Sequence, residues 1–264
     1  MIDFDVLFIK YIEDWMEENE GELTAEEMES QMGEKYEEWK NTPCSDCGGV
    51  SPYQYLQKIQ DPEMLMRLLM EVAPDASSLL MDRIVEVGCE KELTQVVCGD
   101  FDAETKVLAL NLLKEGDCAI PYTECIKFMA DKNCEEGLRE LAVELLTENA
   151  NEVKSYLFAM LKYADLELKG LIAEVLMNAD KDDRTVELLI ELFESGNNYS
   201  LYAGFMAKYN DDRFAPSLYK AIDTCNYADY LEIRNAIEAL GGMVDDDYRD
   251  FSSDPTWQAL KNLK

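Results

Sequence analysis

Apolar residues in this chain recur with a period of 32. Leu93, Cys125, Leu157, Leu189 and Ala221 form one column at that spacing, and Val97, Met129, Leu161, Phe193 and Cys225 form a second. Ile126, Phe158, Ile190 and Ile222 form a third. A looser column of small residues runs through Ser77, Ala109, Ala142, Ala173, Ala203 and Ala236. Self-similarity of this length marks a row of supersecondary units that cannot bury their apolar faces alone and must stack on one another.

Each unit parses as two helices. Val186, Leu189, Ile190 and Phe193 follow the i, i+3, i+4, i+7 rule of one helical stripe. Ser195-Gly196 breaks that helix, and Asn197 is expected to cap the next, which carries Ala203, Met206 and Ala207 inward. The cap position repeats as Asn133, Asp165, Asn197 and Asp229, with Asp102 one step out of register. In the second helices a small residue is followed by apolar ones at +3 and +4, as in Ala109/Leu112/Leu113 and Ala173/Leu176/Met177, and Ser77/Leu80/Met81 fits as an earlier copy. The small residue lets neighbouring helices approach, and the larger pair fills the layer.

The spacing predicts first helices near 62–72, 90–98, 121–131, 152–163, 184–194 and 214–225. Second helices fall near 76–87, 102–115, 134–148, 166–178, 198–209 and 230–241. A closing helix over 255–263 would place Trp257 against the open end of the core.

The pattern Asp102-x-x-x-Lys106-x-x-Ala109-x-x-Leu112-Leu113 resembles the second helix of HEAT-like repeats, the short repeats of phycobilisome-lyase-type proteins among them. Glu135-x-x-x-Arg139-x-x-Ala142-x-x-Leu145-Leu146 and Ile233-Arg234-x-x-Ile237-x-x-Leu240-Gly241 are similar. The resemblance covers roughly residues 61–264 and implies a right-handed α-α superhelix, an all-α solenoid of about six helical pairs. It also implies that a basic residue braces adjacent units through an acidic turn. That role falls on Lys106, Arg139 and Arg234, with Lys169 a displaced equivalent, while the unit containing Ala203 has no such base.

Residues 1–60 lack the period. Residues 3–20 and 24–40 read as two acidic helices, the second opened by the capping box Thr24-x-x-Glu27. Acids outnumber bases 15 to 4 over the first 60 residues, which we read as an N-terminal helical cap on the 61–264 solenoid. Trp39, Thr42-Pro43, Gly48-Gly49 and Ser51-Pro52 resemble a turn found in several bacterial helical domains.

The whole chain carries 56 acids against 24 bases, net −32. Such a field repels nucleic acid and anionic lipid and favours basic proteins or cations. There is no histidine. Ser-His-Asp and Cys-His catalysis are therefore excluded by count, as are His-Glu iron motifs. Asp3 and Asp5 stand where a signal peptide needs positive charge, and no run of about 18 apolar residues occurs. Cys125 and Cys225 fall in apolar columns, the pattern of buried, reduced thiols in a cytoplasmic protein.

Cys44-x-x-Cys47 has the spacing of a zinc half-site or a redox pair. A structural zinc needs four ligands and no second pair follows, so two thiols in a turn is the simpler reading. A calcium loop demands a glycine and a glutamate at fixed offsets, and neither Asp180-x-Asp182-Asp183 nor Asp245-Asp246-Asp247 has both. Tyrosines crowd residues 199–230, and Tyr199, Tyr202 and Tyr227 are candidate contact residues for a protein partner. Together these features point to a non-enzymatic scaffold without cofactor, presenting an acidic concave surface to a basic protein. The alternatives are an accessory enzyme or chaperone-like factor of the lyase type, with a reactive Cys44 or Cys47, or a metal-binding module on the same pair.

Overall fold

The computed structural model describes residues 2–21, 23–74, 76–245 and 248–261. Among them the chain is all-helical, with sixteen α-helices and no strand. The described residues form two compact units, one of residues 1–124 with 135–138, the other of 125–134 with 139–264.

The first unit begins with α1 (Phe4–Glu18), α2 (Ala25–Asn41) and α3 (Pro52–Gln57). It continues through α4 (Pro62–Val72), α5 (Ser78–Val87), α6 (Glu90–Cys98) and α7 (Ala103–Glu115). The capping box of α2 forms as the sequence predicts: Glu27 N–H donates to the Thr24 hydroxyl at 3.3 Å and Thr24 N–H donates to the Glu27 carboxylate at 2.9 Å. Phe8, Tyr36 and Trp39 make an aromatic cluster with centroids 5.1 to 5.6 Å apart, with Trp39 buried. Helices α4 and α5, and α6 and α7, pack as pairs; α4 also packs on α6 and α5 on α7. The segment before residue 61 is tied to α5. Arg83, 6% exposed, donates to the Ile59 carbonyl at 3.0 and 3.3 Å and meets Gln57 and Glu86.

α8 (Tyr122–Ala130) and α9 (Glu136–Glu148) follow, then α10 (Ala150–Met160), α11 (Leu166–Leu176), α12 (Asp183–Glu194), α13 (Tyr199–Tyr209), α14 (Ala215–Ile222), α15 (Tyr227–Ala239) and α16 (Pro255–Lys261). In the second unit α10 packs on α11, α12 on α13 and α14 on α15, while α12 also meets α14 and α13 meets α15. The small-residue column is buried within this packing. Ala173 and Ala203 are fully buried and Ala236 is 1% exposed. The apolar columns are buried at Leu93, Cys125, Leu157 and Leu189, whereas Leu161 sits half-buried past the end of α10.

Three expectations need correction. Ser77 is not a packing residue within α5 but its N-cap, accepting the Leu80 N–H at 3.4 Å. The caps do not keep a period of 32. Asp102 and Asp165 cap α7 and α11, but the caps of α13 and α15 are Asn198 and Asn226, and Asn133 lies in a turn, donating its N–H to Asp131. A cap must precede its own helix start, and loop length varies from unit to unit, so the cap register drifts while the buried columns hold. Trp257 is half-exposed with Lys261 over its ring, and the buried aromatic near the end of the chain is Phe251, packed 4.7 Å from Tyr230 and 5.0 Å from Tyr227. The closing helix is described only to Lys261, so residues 262 and 263 lie outside the described residues.

Candidate functional site

In the second unit, the outward faces of α9 and α11 enclose a groove of 520 Å³. Its floor is Val143, Thr147 and Leu171. Glu140, Glu144 and Glu148 rise from α9 and Glu174 from α11, all four exposed, and Arg139 of α9 lines the groove beside them, so the lining carries four acids and one base. The alternation follows from helix geometry: positions 140, 144 and 148 stack one above another on the same flank, while 143 and 147 turn toward α11. The inward faces of the same helices carry Ala142, Leu145, Leu146, Ile172, Ala173, Val175 and Leu176, all buried, which fixes how the helices are rotated. Glu140 and Glu174 make no ion pair among the described residues. Three glutamates at i, i+4, i+8 repel one another by a few tenths of a kcal/mol per pair, roughly 0.2–0.5. A similar surface occurs in the first unit, where Val107, Leu108 and Asn111 of α7 line a 600 Å³ hollow with Glu104 and Glu135.

The expected braces differ in kind. Arg139 of α9 donates to the Asp131 carbonyl at 2.5 Å and meets Glu167, in the first turn of α11, at 3.4 Å, so it links a preceding turn to the next second helix. Its Nε is buried without a hydrogen-bond partner. Lys169 pairs with Glu191 of α12 at 2.5 Å. Arg234 meets Glu238, four residues on in its own helix, at 2.8 Å. Lys106 is half-buried in α7, where its charge helps hold the Asp102 carboxyl below the usual range, after the larger effects of the Thr105 N–H and hydroxyl. The strongest brace was not legible as one: Arg83 is the most buried base, yet it lies outside the column that holds the others.

The tyrosines also sort differently. Tyr202 is 6% exposed, its ring turned into the core against Phe205, and burial raises its pKa. It has no ring surface for a partner. Tyr199 is half-buried and packs edge-on against Phe193 at 4.9 Å; Tyr227 is half-buried between Phe251 and Tyr230. The most exposed tyrosines are Tyr163, at 82%, and Tyr156, at 65%. Position beside a buried column residue does not sort them: Tyr156 precedes buried Leu157 and is exposed, whereas Tyr202 precedes buried Ala203 and is itself buried.

Cys44 and Cys47 lie in a tight loop closed by Gly49 N–H to the Cys44 carbonyl at 2.9 Å and Cys44 N–H to the Val50 carbonyl at 3.1 Å. Gly48 and Gly49 have φ of +67° and +83°, a region that favours glycine. Cys47 is buried, and its thiol is pushed up to about 12, chiefly by desolvation and then by the hydrogen bond with Cys44. That is the opposite of an activated nucleophile, whose pKa must fall. Cys44, Cys47, Cys89, Cys98, Cys118 and Cys225 carry free thiols, and among the described residues no group of three or more Cys, Asp or Glu is placed to hold a metal ion. Asp182 caps α12 and is gripped by Arg184 at 2.9 and 3.0 Å, which holds its carboxyl well below the usual range. Asp246 and Asp247 lie outside the described residues. No described helix is long and apolar enough to cross a membrane.

Comparison of the chain with protein-family models, curated proteins and solved structures finds no match.

Proposed function

We propose that this chain is a non-enzymatic binding scaffold whose second helices offer an acidic surface to a basic protein. The observation that carries the proposal is the groove of α9 and α11, where exposed glutamates flank an apolar floor on a chain of net charge −32. Fields of this sign raise the encounter rate with cationic partners and repel nucleic acid. The reading of the fold as a HEAT-like right-handed solenoid of about six pairs belongs to the same proposal. It is supported by the packing of α4 on α5 and α6, of α5 on α7, of α12 on α13 and α14, and of α13 on α15. Free thiols at Cys44, Cys47, Cys89, Cys98, Cys118 and Cys225 fit a reducing, cytoplasmic setting. Tyr199 and Tyr227, with the more exposed Tyr156 and Tyr163, are further candidate contact residues for such a partner.

The test is affinity capture from host lysate with the wild-type chain and with a Glu140→Lys/Glu144→Lys/Glu174→Lys variant. A basic protein held by the wild type, released by salt and missing from the variant is the expected outcome. A partner that both proteins hold equally, or that salt does not release, would remove the acidic groove from the function.

A further inference from the structure

We infer that the element received by the α9–α11 groove is a basic amphipathic helix, a conclusion that rests on the scaffold reading above. The groove joins two unlike chemistries, aliphatic side chains and carboxylates. Val143, 8% exposed, and the half-buried Leu171 present aliphatic surface at the bottom, while Glu140 and Glu174 stand on opposite walls. A ligand that satisfies both must place apolar groups along a central stripe and cations on both flanks of that stripe. An α-helix with Leu or Ile at i, i+3, i+4 and i+7 and Lys or Arg on either side does this with no strain.

An extended peptide fits less well. No strand exists among the described residues, so no sheet edge is offered for strand addition. The backbone groups of α9 and α11 are engaged within their own helices. An extended ligand would press unpaired N–H and C=O groups against Val143 and Leu171, each carrying a desolvation penalty of roughly 1–3 kcal/mol. A helix brings those bonds already made. The 1.5 Å rise per residue places Glu140, Glu144 and Glu148 about 6 Å apart, the same interval as Lys or Arg at i, i+4, i+8 of a helix running alongside. The net charge of −32 selects the sign.

The experiment uses the full chain and two fluorescently labelled synthetic peptides of identical composition, Leu and Lys with a few Ala. One places its leucines on a single helical face; the other distributes them around the helix. Anisotropy titrations are run at low and high salt on the wild type, on Glu140→Gln/Glu174→Gln and on Leu171→Asp. Circular dichroism verifies that each variant is folded. The expected result is that the one-faced peptide binds the wild type about tenfold more tightly or better, equivalent to about 1.4 kcal/mol, and gains helicity on binding. Leu171→Asp should abolish the preference between peptides, and the Gln pair should weaken both peptides without abolishing it. Equal, salt-sensitive binding of both peptides to the wild type would overturn the helix inference and leave the acidic-surface reading in place. Absence of binding by either peptide at low salt would overturn both.

Discussion

The hydroxyl of Tyr209 closes a two-way hydrogen bond with the backbone of Asp182. It accepts the Asp182 N–H at 2.7 Å and donates to the Asp182 carbonyl at 3.3 Å, from a ring only 5% exposed. The contact anchors the start of α12 to the end of α13 across 27 residues of sequence. Tyr209→Phe keeps the packing but strips both bonds from the part-buried Asp182 backbone, so we expect a loss of about 1–2 kcal/mol. Urea denaturation should show a lower midpoint at unchanged slope. An unchanged midpoint would mean that the pair is replaced by water.

Arg83 is the second anchor. Its guanidinium holds the Ile59 carbonyl while Glu86 neutralises it at 2.9 Å. Removing one member of a buried charged network is costlier than removing a surface pair, because the remaining groups stay desolvated. Glu86 is half-exposed, which reduces the penalty here. Arg83→Ala is expected to destabilise the first unit by about 2–3 kcal/mol through the lost charged hydrogen bonds. Arg83→Lys should recover only part, since an ammonium cannot reach the carbonyl and Glu86 with the same fork. Limited proteolysis near residues 57–61 should follow the same order.

Two helical glycines make a matched pair. Gly204 in α13 has nothing within 4 Å of an added Cβ, whereas at Gly170 in α11 the Tyr202 hydroxyl stands 3.1 Å away. Gly204→Ala should stabilise by about 0.5–1 kcal/mol, the usual gain in a helix interior. Gly170→Ala should gain less or lose, because the buried tyrosine must give way. Thermal melts of the two variants check the order.

Cysteine labelling reads burial and titration together. Cys98 is exposed and should react first, while Cys47, Cys89 and Cys125 are buried and should wait for unfolding. Burial pushes Cys89 up to about 11 and Cys47 up to about 12. A raised thiol pKa means that the folded state keeps a proton the unfolded state releases. Stability from these groups is therefore complete below about pH 9 and declines as pH rises through 11 and 12. At the acid end the sign reverses. Arg213 holds Asp211 down to about 2, so its contribution is complete above the ordinary aspartate range and is lost as pH falls toward 2. Denaturation midpoints across pH check both limbs.

Most of the helices were legible because burial imposes a strict period. Leu93, Cys125, Leu157 and Leu189 each had to face inward, and no loop could shift them without emptying the core. Asn198 and Asn226 were missed as caps because a cap follows its local loop and not the repeat. The sequence offers Tyr202 as a contact residue because tyrosine serves cores and interfaces alike, and its burial is set by tertiary packing. The groove was half-legible. Its acidity was visible in composition, but the pairing of Val143 with Leu171 across two helices is a tertiary fact.

The most direct test of the proposed function is the salt dependence of affinity for the one-faced Leu/Lys peptide, compared between wild type and Glu140→Gln/Glu144→Gln/Glu148→Gln/Glu174→Gln. With all four carboxylates present, affinity should fall steeply as ionic strength rises past the point where the Debye length reaches about 8 Å. The variant should bind more weakly at low salt and show a flatter dependence. A flat response in the wild type, or the same slope in both proteins, would contradict an acidic groove as the binding surface.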